Sequence, residues 1–478
     1  MTTLNLVGAF LIILAWGDLA YNLLLDKPAR PAAGALCLAE TWLFGCGLVS
    51  WGMFVCLWAG LSLSATVVAL SLVGGLAWFG WPGRRLIRQV MNAGTGATIR
   101  LALHPRPQPA GYSNLGSPWS LVFGLIILAQ IGSVAFAALV SPLTDWDAWV
   151  NWTSKANAVF IDQVLTPGLY SNPARLPTNM DYPLMLPLLE AWCYTWLGRI
   201  HEPAIGLISL LFYLTLLLLF YHAVRQLVAP QPALGFTALL ATVPRLERMG
   251  HNGLADVPLA TLVLLAFLLL FYDYNRNSGL NQRARTAALA LAAGWLPWLK
   301  NEGWLWLLLV SLVWLGGLWQ QNRSRSQVRS SVIVYSVIAL VMAGAWPIFL
   351  AVNGTYRFTF LPLTVATLMT NLPRIPVITI AIAGRLLNPY WNFIWLFTGL
   401  VLLFRREKSG SAPVGWLVLP VVGFLLLAGT TYVFSRFDPY LAHVNNSIER
   451  LILQATPLAL WWLVGQCVAL GVIKGEPV

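Results

Sequence analysis

Charged residues are scarce in this chain of 478 residues. They make up 10% of it, against 58% hydrophobic residues, and the mean hydropathy is +0.71. A soluble core cannot bury so much apolar surface, and apolar stretches long enough to cross a bilayer recur along the chain. The alternating strands of a transmembrane barrel, about ten residues each, are absent. Backbone hydrogen bonds must then close within helices, so the sequence predicts an all-α polytopic membrane protein.

Acids, cysteines and phosphate-binding glycine loops are also few or missing. The 17 Asp and Glu face 29 Lys and Arg, a net charge of +12. These basic residues lie mainly in short loops between apolar segments, so we expect a bilayer and no nucleic acid as partner. The five cysteines sit in apolar segments without paired metal spacing, which predicts packing and no disulfides. Without a glycine-rich phosphate loop, a nucleotide substrate is not expected.

The positive-inside rule orients fourteen apolar segments. The loop after the third segment is the strongest basic cluster and is placed in the cytoplasm; it contains Arg84, Arg85, Arg88, Arg100 and Arg106. Further basic loops at 276–285, 323–329 and 405–408 fall on the same side. Alternation then places four loops outside: 141–182, 245–256, 351–389 and 434–450. Cytoplasmic loops hold 18 of the 29 basic residues but only 4 of the 17 acids, so the acids concentrate outside.

The number of membrane crossings indicates that one of the fourteen apolar segments does not span. Asp145 and Asp256 are both assigned outside, yet three apolar segments separate them, and only an even number of crossings joins two points on one side. Segment 183–198 is short and contains two prolines, which predicts a juxtamembrane or re-entrant helix; segment 233–244 is the alternative. We therefore expect about 13 transmembrane helices and a juxtamembrane helix in the long external loop.

The chain divides into two predicted parts. Residues 1–117 contain three leading transmembrane helices and a basic cytoplasmic linker rich in proline and glycine. Residues 118–478 form a transmembrane module that carries the four external loops. No internal repeat and no inverted pair of broken helices is evident, which weakens a transporter interpretation.

The first candidate site follows the fourth span, in the sequence SPLTDWDAWVNWTSK. Asp145 and Asp147 are candidate catalytic carboxylates, and Lys155 is a candidate substrate contact. A short helix beginning near Asp145 would place Asp147, Asn151 and Lys155 on one face. The alternative is a helix start with interfacial tryptophans and no chemistry.

Two further external turns carry polar residues. Asp256, followed by Val and Pro at the start of a span, and His251 just before it are candidate substrate contacts; a plain helix cap is the alternative. Lys300 and Glu302 interrupt about thirty apolar residues, which is costly within a bilayer and ordinary at its surface. Lys300 is expected to contact a lipid-linked phosphate and Glu302 to orient the lysine or a sugar hydroxyl; a plain hairpin turn between two spans is the alternative.

The last external loop supplies three more candidates for substrate binding, Arg436, His443 and Arg450. Arg450 opens a span from the outside, against the positive-inside trend. Its guanidinium fork matches phosphate oxygens, although snorkelling to the interface is an equal alternative.

Together these motifs resemble the membrane glycosyltransferases of the GT-C class, particularly protein O-mannosyltransferases and lipid A aminoarabinose transferases. The likeness rests on an acid just beyond a span, a long external loop returning through YPLMLPLLEAW, the Asp256-Val-Pro motif and the late HVNNSIER segment. It covers residues 118–478 in loop layout more than in identity. Three spans before the acidic loop depart from the usual layout of the class.

The resemblance implies transfer of a sugar from a polyprenyl-phosphate donor to an acceptor hydroxyl outside the membrane, with inversion. The acceptor is a lipid, a polysaccharide or a protein. A divalent cation joining Asp145 or Asp147 to Asp256 is an open alternative. We expect a multi-pass protein of the bacterial plasma membrane with a periplasmic active site. The alternative function is a secondary transporter or lipid flippase of the cell envelope.

Overall fold

The structure is a computed structural model that describes residues 2–24, 34–80, 117–174, 179–274, 282–320, 324–355, 359–404 and 413–475. Within these ranges the chain is largely helical. The only β-type pairings there are two isolated bridges, Val228 with Gly475 and Phe360 with Ser435. The predicted all-α class is confirmed.

Nineteen α-helices follow one another along the described ranges. They are α1 (Thr2–Leu24), α2 (Gly34–Trp58), α3 (Leu63–Gly80), α4 (Pro118–Val140), α5 (Ser154–Asp162), α6 (Pro167–Ser171), α7 (Met185–Leu197), α8 (Glu202–Arg225), α9 (Pro230–Ala241), α10 (Pro244–Met249), α11 (Asp256–Tyr274), α12 (Gln282–Leu299), α13 (Gly303–Gln320), α14 (Arg325–Asn353), α15 (Val365–Asn371), α16 (Arg374–Leu386), α17 (Ile394–Phe404), α18 (Val418–Thr431) and α19 (Tyr440–Ala469). A π-helical turn, Ala148–Thr153, leads into α5.

Nine helices of the described ranges are long and apolar enough to cross a membrane, namely α1, α2, α3, α4, α8, α13, α14, α18 and α19. The pair α15 and α16 meets at an angle of 69° and makes a tenth if it crosses as one broken span. Helix α18 qualifies together with its flanking turns, as the span Val414–Phe434. The apolar part of α11, Asp256–Phe271, and helix α17 are shorter. The multi-pass membrane class is confirmed, and the count of about 13 spans stays a prediction.

Local sequence explains where helices begin and how closely they pack. Ser117 caps α4 by accepting a hydrogen bond from the Trp119 amide, and Pro118 fills the first turn, where no amide partner is needed. Helices α1 and α2 touch at Gly45, where an added Cβ would lie 2.0 Å from the carbonyl oxygen of Ile13. Only glycine permits that approach.

The connections that contain the predicted external acids meet at one end of the helix bundle, called here the charged end. Side chains from 141–182, 245–256, 351–389 and 434–450 contact one another there, as described below. The α2–α3 turn lies at the same end, since Ser64 donates its amide to the Gln163 side chain at 3.0 Å. The ends of α8 and α19 meet at the opposite end, through the Val228–Gly475 bridge.

Helix α7 lies along the charged end. It has 13 residues, fewer than the roughly 20 that span a bilayer. Just before it, the Tyr182 carbonyl accepts a hydrogen bond from Lys155 of α5, and near its end the Tyr194 ring contacts Phe160 of the same short helix. Both ends of α7 therefore adjoin α5, which favours the juxtamembrane placement of residues 183–198.

The three leading helices are built into the apolar core. Trp298 of α12 donates to the Ser50 hydroxyl of α2 at 3.1 Å, and Phe44 packs edge-on against Trp295 at 5.5 Å. Trp192 of α7 donates to the Ala9 carbonyl of α1 at 3.1 Å. Helices α1–α3 thus support the elements that carry the charged end.

The residues that oriented the chain by charge fall largely outside the described ranges. They include the linker arginines Arg84, Arg85, Arg88, Arg100 and Arg106, together with Arg276, Arg323, Arg405, Arg406 and Lys408. The predicted boundary between residues 117 and 118 lies at the edge of the same gap.

Candidate active site

Asp147 and Arg450 join the first external loop to the last. Asp147 immediately precedes the π-helical turn after α4, and its Oδ2 accepts a hydrogen bond from Arg450 Nη1 of α19. The Asp147 side chain is 29% exposed. Among the described residues its second oxygen has no hydrogen-bond partner, so this carboxylate retains a free acceptor.

Asp256 is the most deeply buried acid of the group, with 0% of its side chain exposed. Its Oδ1 accepts hydrogen bonds from Lys300 Nζ at 2.7 Å and Gln454 Nε2 at 2.9 Å. Its Oδ2 accepts one from Arg450 Nε at 2.8 Å. Burial of an acid demands such pairing, and with three donors Asp256 acts as the fixed counter-ion of two cations.

Lys300 and Glu302 form the turn between α12 and α13. Lys300 is 3% exposed, and its ammonium lies 3.0 Å from Glu302 Oε1 as well as beside Asp256. The turn depends on Gly303, where an added Cβ would lie 2.0 Å from the Leu296 carbonyl oxygen. Local backbone geometry therefore fixes the position of the lysine.

These five residues, called here the charge network, come from four separate segments of the chain. They are Asp147, Asp256, Lys300, Glu302 and Arg450. Three carboxylates against two cations leave a formal charge of −1. All five were predicted site residues, and the structure brings them together at the charged end.

Asp145 lies beside the charge network and has different partners. Its Oδ1 accepts from Arg248 Nη2 at 3.1 Å, and its Oδ2 accepts from the Asn252 side-chain amide. Both of its oxygens are engaged, in contrast to those of Asp147. Of the two predicted catalytic carboxylates, Asp147 is the one with an acceptor position open.

Lys155 holds the loop before α7 and lies apart from the charge network. It is fully buried and donates to the carbonyls of Asn179 and Tyr182 at 3.1 and 2.8 Å. Burial lowers the pKa of Lys155 to about 7. The Lys155 side chain therefore makes structural contacts in the protein interior, and the substrate contact expected of it stays a prediction. Asn151, predicted on the same polar face, is also buried.

The predicted histidines and Arg436 lie around the charge network. His251 is half-buried near Asp145 and Glu247, and burial lowers its pKa. The His443 ring stacks on Phe437 at 4.7 Å, and its Nδ1 contacts the Ser435 hydroxyl at 2.9 Å. These contacts show how His443 packs, and the substrate contact expected of it stays a prediction. Arg436 remains exposed.

Two residues beside the charge network were not predicted from the sequence, Gln454 and Tyr182. Gln454 lies one helical turn after Arg450, so the spacing of four residues could have identified it. Tyr182 lies beside the network: burial, then the charges of Glu302 and Asp181, raises its pKa well above the usual range. Nothing in the sequence pattern distinguishes Tyr182 from the many interfacial aromatics.

Three arginines from distant segments also converge at this end. Arg245 and Arg385 both pair with Glu449 of α19, and Arg248 pairs with Asp145. They adjoin a cavity of about 210 Å³ lined by Pro244, Arg245, Arg248, Asn388, Tyr390, Trp391 and Glu449. Because Glu449 and Arg450 are neighbours on α19, this cavity lies next to the charge network.

The charge network does not fit a metal ion bridging Asp147 and Asp256. The guanidinium of Arg450 contacts both carboxylates and occupies the position between them. Across the described ranges no three His, Cys, Asp or Glu side chains are grouped as metal ligands.

Asp147, Asp256 and Arg450 thus define a candidate active site at one end of a membrane bundle. Comparison of the chain with protein-family models, curated proteins and solved structures gives no significant match.

Proposed function

We propose that this protein is a membrane glycosyltransferase that moves a sugar from a polyprenyl-phosphate donor to an acceptor hydroxyl. The observation that supports the proposal is the convergence of Asp147, Asp256 and Arg450 with the Lys300–Glu302 turn. These residues are among the few charges of an apolar chain, and burying charged groups costs free energy even when they are paired. A buried cluster of charges in a membrane protein is therefore expected to have a function.

In this reaction the acceptor oxygen attacks the anomeric carbon of the sugar. Its proton passes to the open oxygen of Asp147, and the electron pair of the sugar–phosphate bond leaves with polyprenyl phosphate. Attack opposite to the leaving group inverts the anomeric carbon. Asp256 holds Arg450 in place, and Arg450 holds the first oxygen of Asp147, so the base is fixed before substrate binds.

The leaving phosphate needs positive charge. Arg450 is 16% exposed, and Arg436 is exposed at the same end, so these two arginines are the proposed phosphate contacts. Lys300 is buried between Asp256 and Glu302, and its proposed role is to position both acids. We place the charged end on the external side of a bacterial plasma membrane, where a lipid-linked donor replaces cytoplasmic nucleotide sugars.

The test is release of polyprenyl phosphate from a polyprenyl-phosphate sugar by purified protein in lipid nanodiscs, with acceptor present. Wild type should release it, and Asp147→Asn should lower the rate by about 10²–10⁴-fold because the proton acceptor is lost. Asp162→Asn is the matched control, since Asp162 is exposed and contacts only Thr166 among described residues. Full turnover by Asp147→Asn would refute the assignment, whereas lipid movement without release would indicate a flippase.

A further inference from the structure

The arginine cavity beside the charge network is assembled from three parts of the chain. Arg245 and Arg248 come from α10, Tyr390 and Trp391 from the segment after α16, and Glu449 from α19. Arg385, near the end of α16, does not line the cavity but pairs with Glu449. The segment after α16 is fixed in place, since Trp391 donates to the Arg385 carbonyl at 2.9 Å and Asn392 donates to the Leu239 carbonyl at 3.0 Å. A rigid frame therefore surrounds the cavity.

Positive charge is in excess at this cavity. Its charged lining residues are two arginines, Arg245 and Arg248, and one acid, Glu449, which leaves a formal charge of +1. The pKa of Arg245 is lowered by burial and then by the repulsion of Arg248, with Arg385 and Arg450 adding to it. The positive charge of the cavity favours an acidic ligand. The charge network next to it carries the opposite sign, −1.

Two of the arginines retain donors for a ligand. Arg248 is 58% exposed and Arg245 is 28% exposed, although each already contacts one carboxylate. A guanidinium has five N–H donors and matches carboxylate or phosphate oxygens in pairs. The pairs of Arg245 with Glu449 and of Arg248 with Asp145 show that these arginines bind carboxylates in this geometry.

The cavity also suits a sugar ring. Its volume of about 210 Å³ is below the roughly 300–1,000 Å³ typical of drug-sized ligands, so it suits one ring or one group. Tyr390 lines it with 64% of its surface exposed and can offer an aromatic face. A bare anion would leave this aromatic face unused.

Position decides which substrate would occupy the cavity. Arg248 contacts Asp145, two residues from the proposed base Asp147. In an inverting transfer the base and the acceptor lie on one side of the anomeric carbon and the leaving phosphate on the other. Because Arg248 contacts the segment that carries the base, we assign a group bound at Arg248 to the acceptor side.

We propose that the cavity lined by Arg245, Arg248 and Tyr390 binds an acidic sugar of the acceptor, a ring bearing a carboxylate or a phosphate ester. This inference rests on the proposed function only where it assigns the bound sugar to the acceptor. Binding itself requires no donor and no turnover, so it can be measured independently of glycosyl transfer.

The experiment is calorimetric titration of the full-length protein in nanodiscs with glucuronate, glucose 6-phosphate, glucose and inorganic phosphate. At least one sugar acid should bind about tenfold or more tightly than glucose and inorganic phosphate, and comparison of the two acids identifies the carboxylate or the phosphate ester. Arg248→Gln and Tyr390→Ala should each weaken that binding about tenfold or more. Arg199→Gln, an exposed arginine after α7, should leave it unchanged.

Equal binding of glucose and both sugar acids would overturn the inference, as would unchanged binding by both cavity variants. Inorganic phosphate binding as tightly as a sugar acid would show an anion site without sugar recognition, which also overturns it. Displacement of the bound sugar acid by polyprenyl phosphate would assign the cavity to the donor and refute the acceptor side. If the protein releases polyprenyl phosphate but binds no sugar acid, this inference is refuted and the proposed transfer is not. If it binds a sugar acid but releases no polyprenyl phosphate, the proposed transfer is refuted, and the sugar-acid site remains without its assignment to an acceptor.

Discussion

Replacing Asp256 by Asn tests how the charge network is held together. The carboxylate is fully buried and accepts hydrogen bonds from Lys300, Gln454 and Arg450. Asparagine keeps the shape but removes the charge, which leaves two cations with one fewer partner. Glu302 and Asp147 remain beside them and compensate in part.

Loss of one partner from a buried ion pair costs about 3–5 kcal/mol, because the other charge stays buried without compensation. We expect Asp256→Asn to lower the free energy of unfolding by an amount near the lower end of this range, since Lys300 keeps Glu302 and Arg450 keeps Asp147. Adding Lys300→Met removes one stranded cation. The double variant should therefore be less destabilised than the sum of the two single variants, by about 0.5–3 kcal/mol.

The assay is equilibrium unfolding in mixed micelles of a mild detergent and dodecyl sulfate, followed by tryptophan fluorescence. Asp162→Asn serves as the control and should lie within about 0.5 kcal/mol of wild type, because Asp162 is exposed. Destabilisation of less than about 1 kcal/mol by Asp256→Asn, or strict additivity with Lys300→Met, would refute the buried counter-ion role.

Two further predictions concern positions that support the site. The pKa of Lys155 is about 7 in the fold and 10.5 unperturbed, so between these pH values the unfolded chain holds one more proton. Stability should rise with pH by up to about 1.4 kcal/mol per unit there, and Lys155→Met should remove this slope in unfolding curves at pH 7 and pH 9. Gly303→Ala places a Cβ 2.0 Å from the Leu296 carbonyl, so it should cost about 1–3 kcal/mol and reduce turnover, whereas Gly384→Ala meets no atom within 4 Å and should do neither. Equal effects of the two glycine variants would contradict the assigned role of the tight turn.

The membrane class could be predicted because long apolar runs leave few other folds. Individual helices were harder. The bent pair α15–α16 lies in a segment treated as external loop, where Pro373 and Pro376 interrupt the apolar pattern. Helices α9 and α17, with 12 and 11 residues, are too short for hydropathy alone to decide whether they cross.

The charge network was predictable residue by residue because charged residues make up only 10% of the chain and these five interrupt or border its apolar runs. Asp256, Lys300 and Arg450 each stand at the edge of an apolar run on the side assigned outside. Their mutual pairing was not predictable, because it depends on how α11, α12 and α19 pack.

Burial was the other limit. Lys155 and the predicted catalytic acids share one short segment, and no sequence pattern indicates that the lysine points inward while Asp147 stays partly exposed. The arginine cavity was missed for a similar reason. Arg245, Arg248 and Arg385 are ordinary loop residues in sequence, and only the fold brings them to Glu449.

The most direct test of the proposed glycosyl transfer is a cryo-EM structure of the protein with a non-hydrolysable polyprenyl-phosphonate sugar. The sugar should lie at the charge network, with its phosphonate toward Arg450 and Arg436 and its anomeric carbon facing Asp147 from the opposite side. Density for the lipid sugar at the other end of the bundle, or with Asp147 directed away from the anomeric carbon, would contradict the proposed reaction.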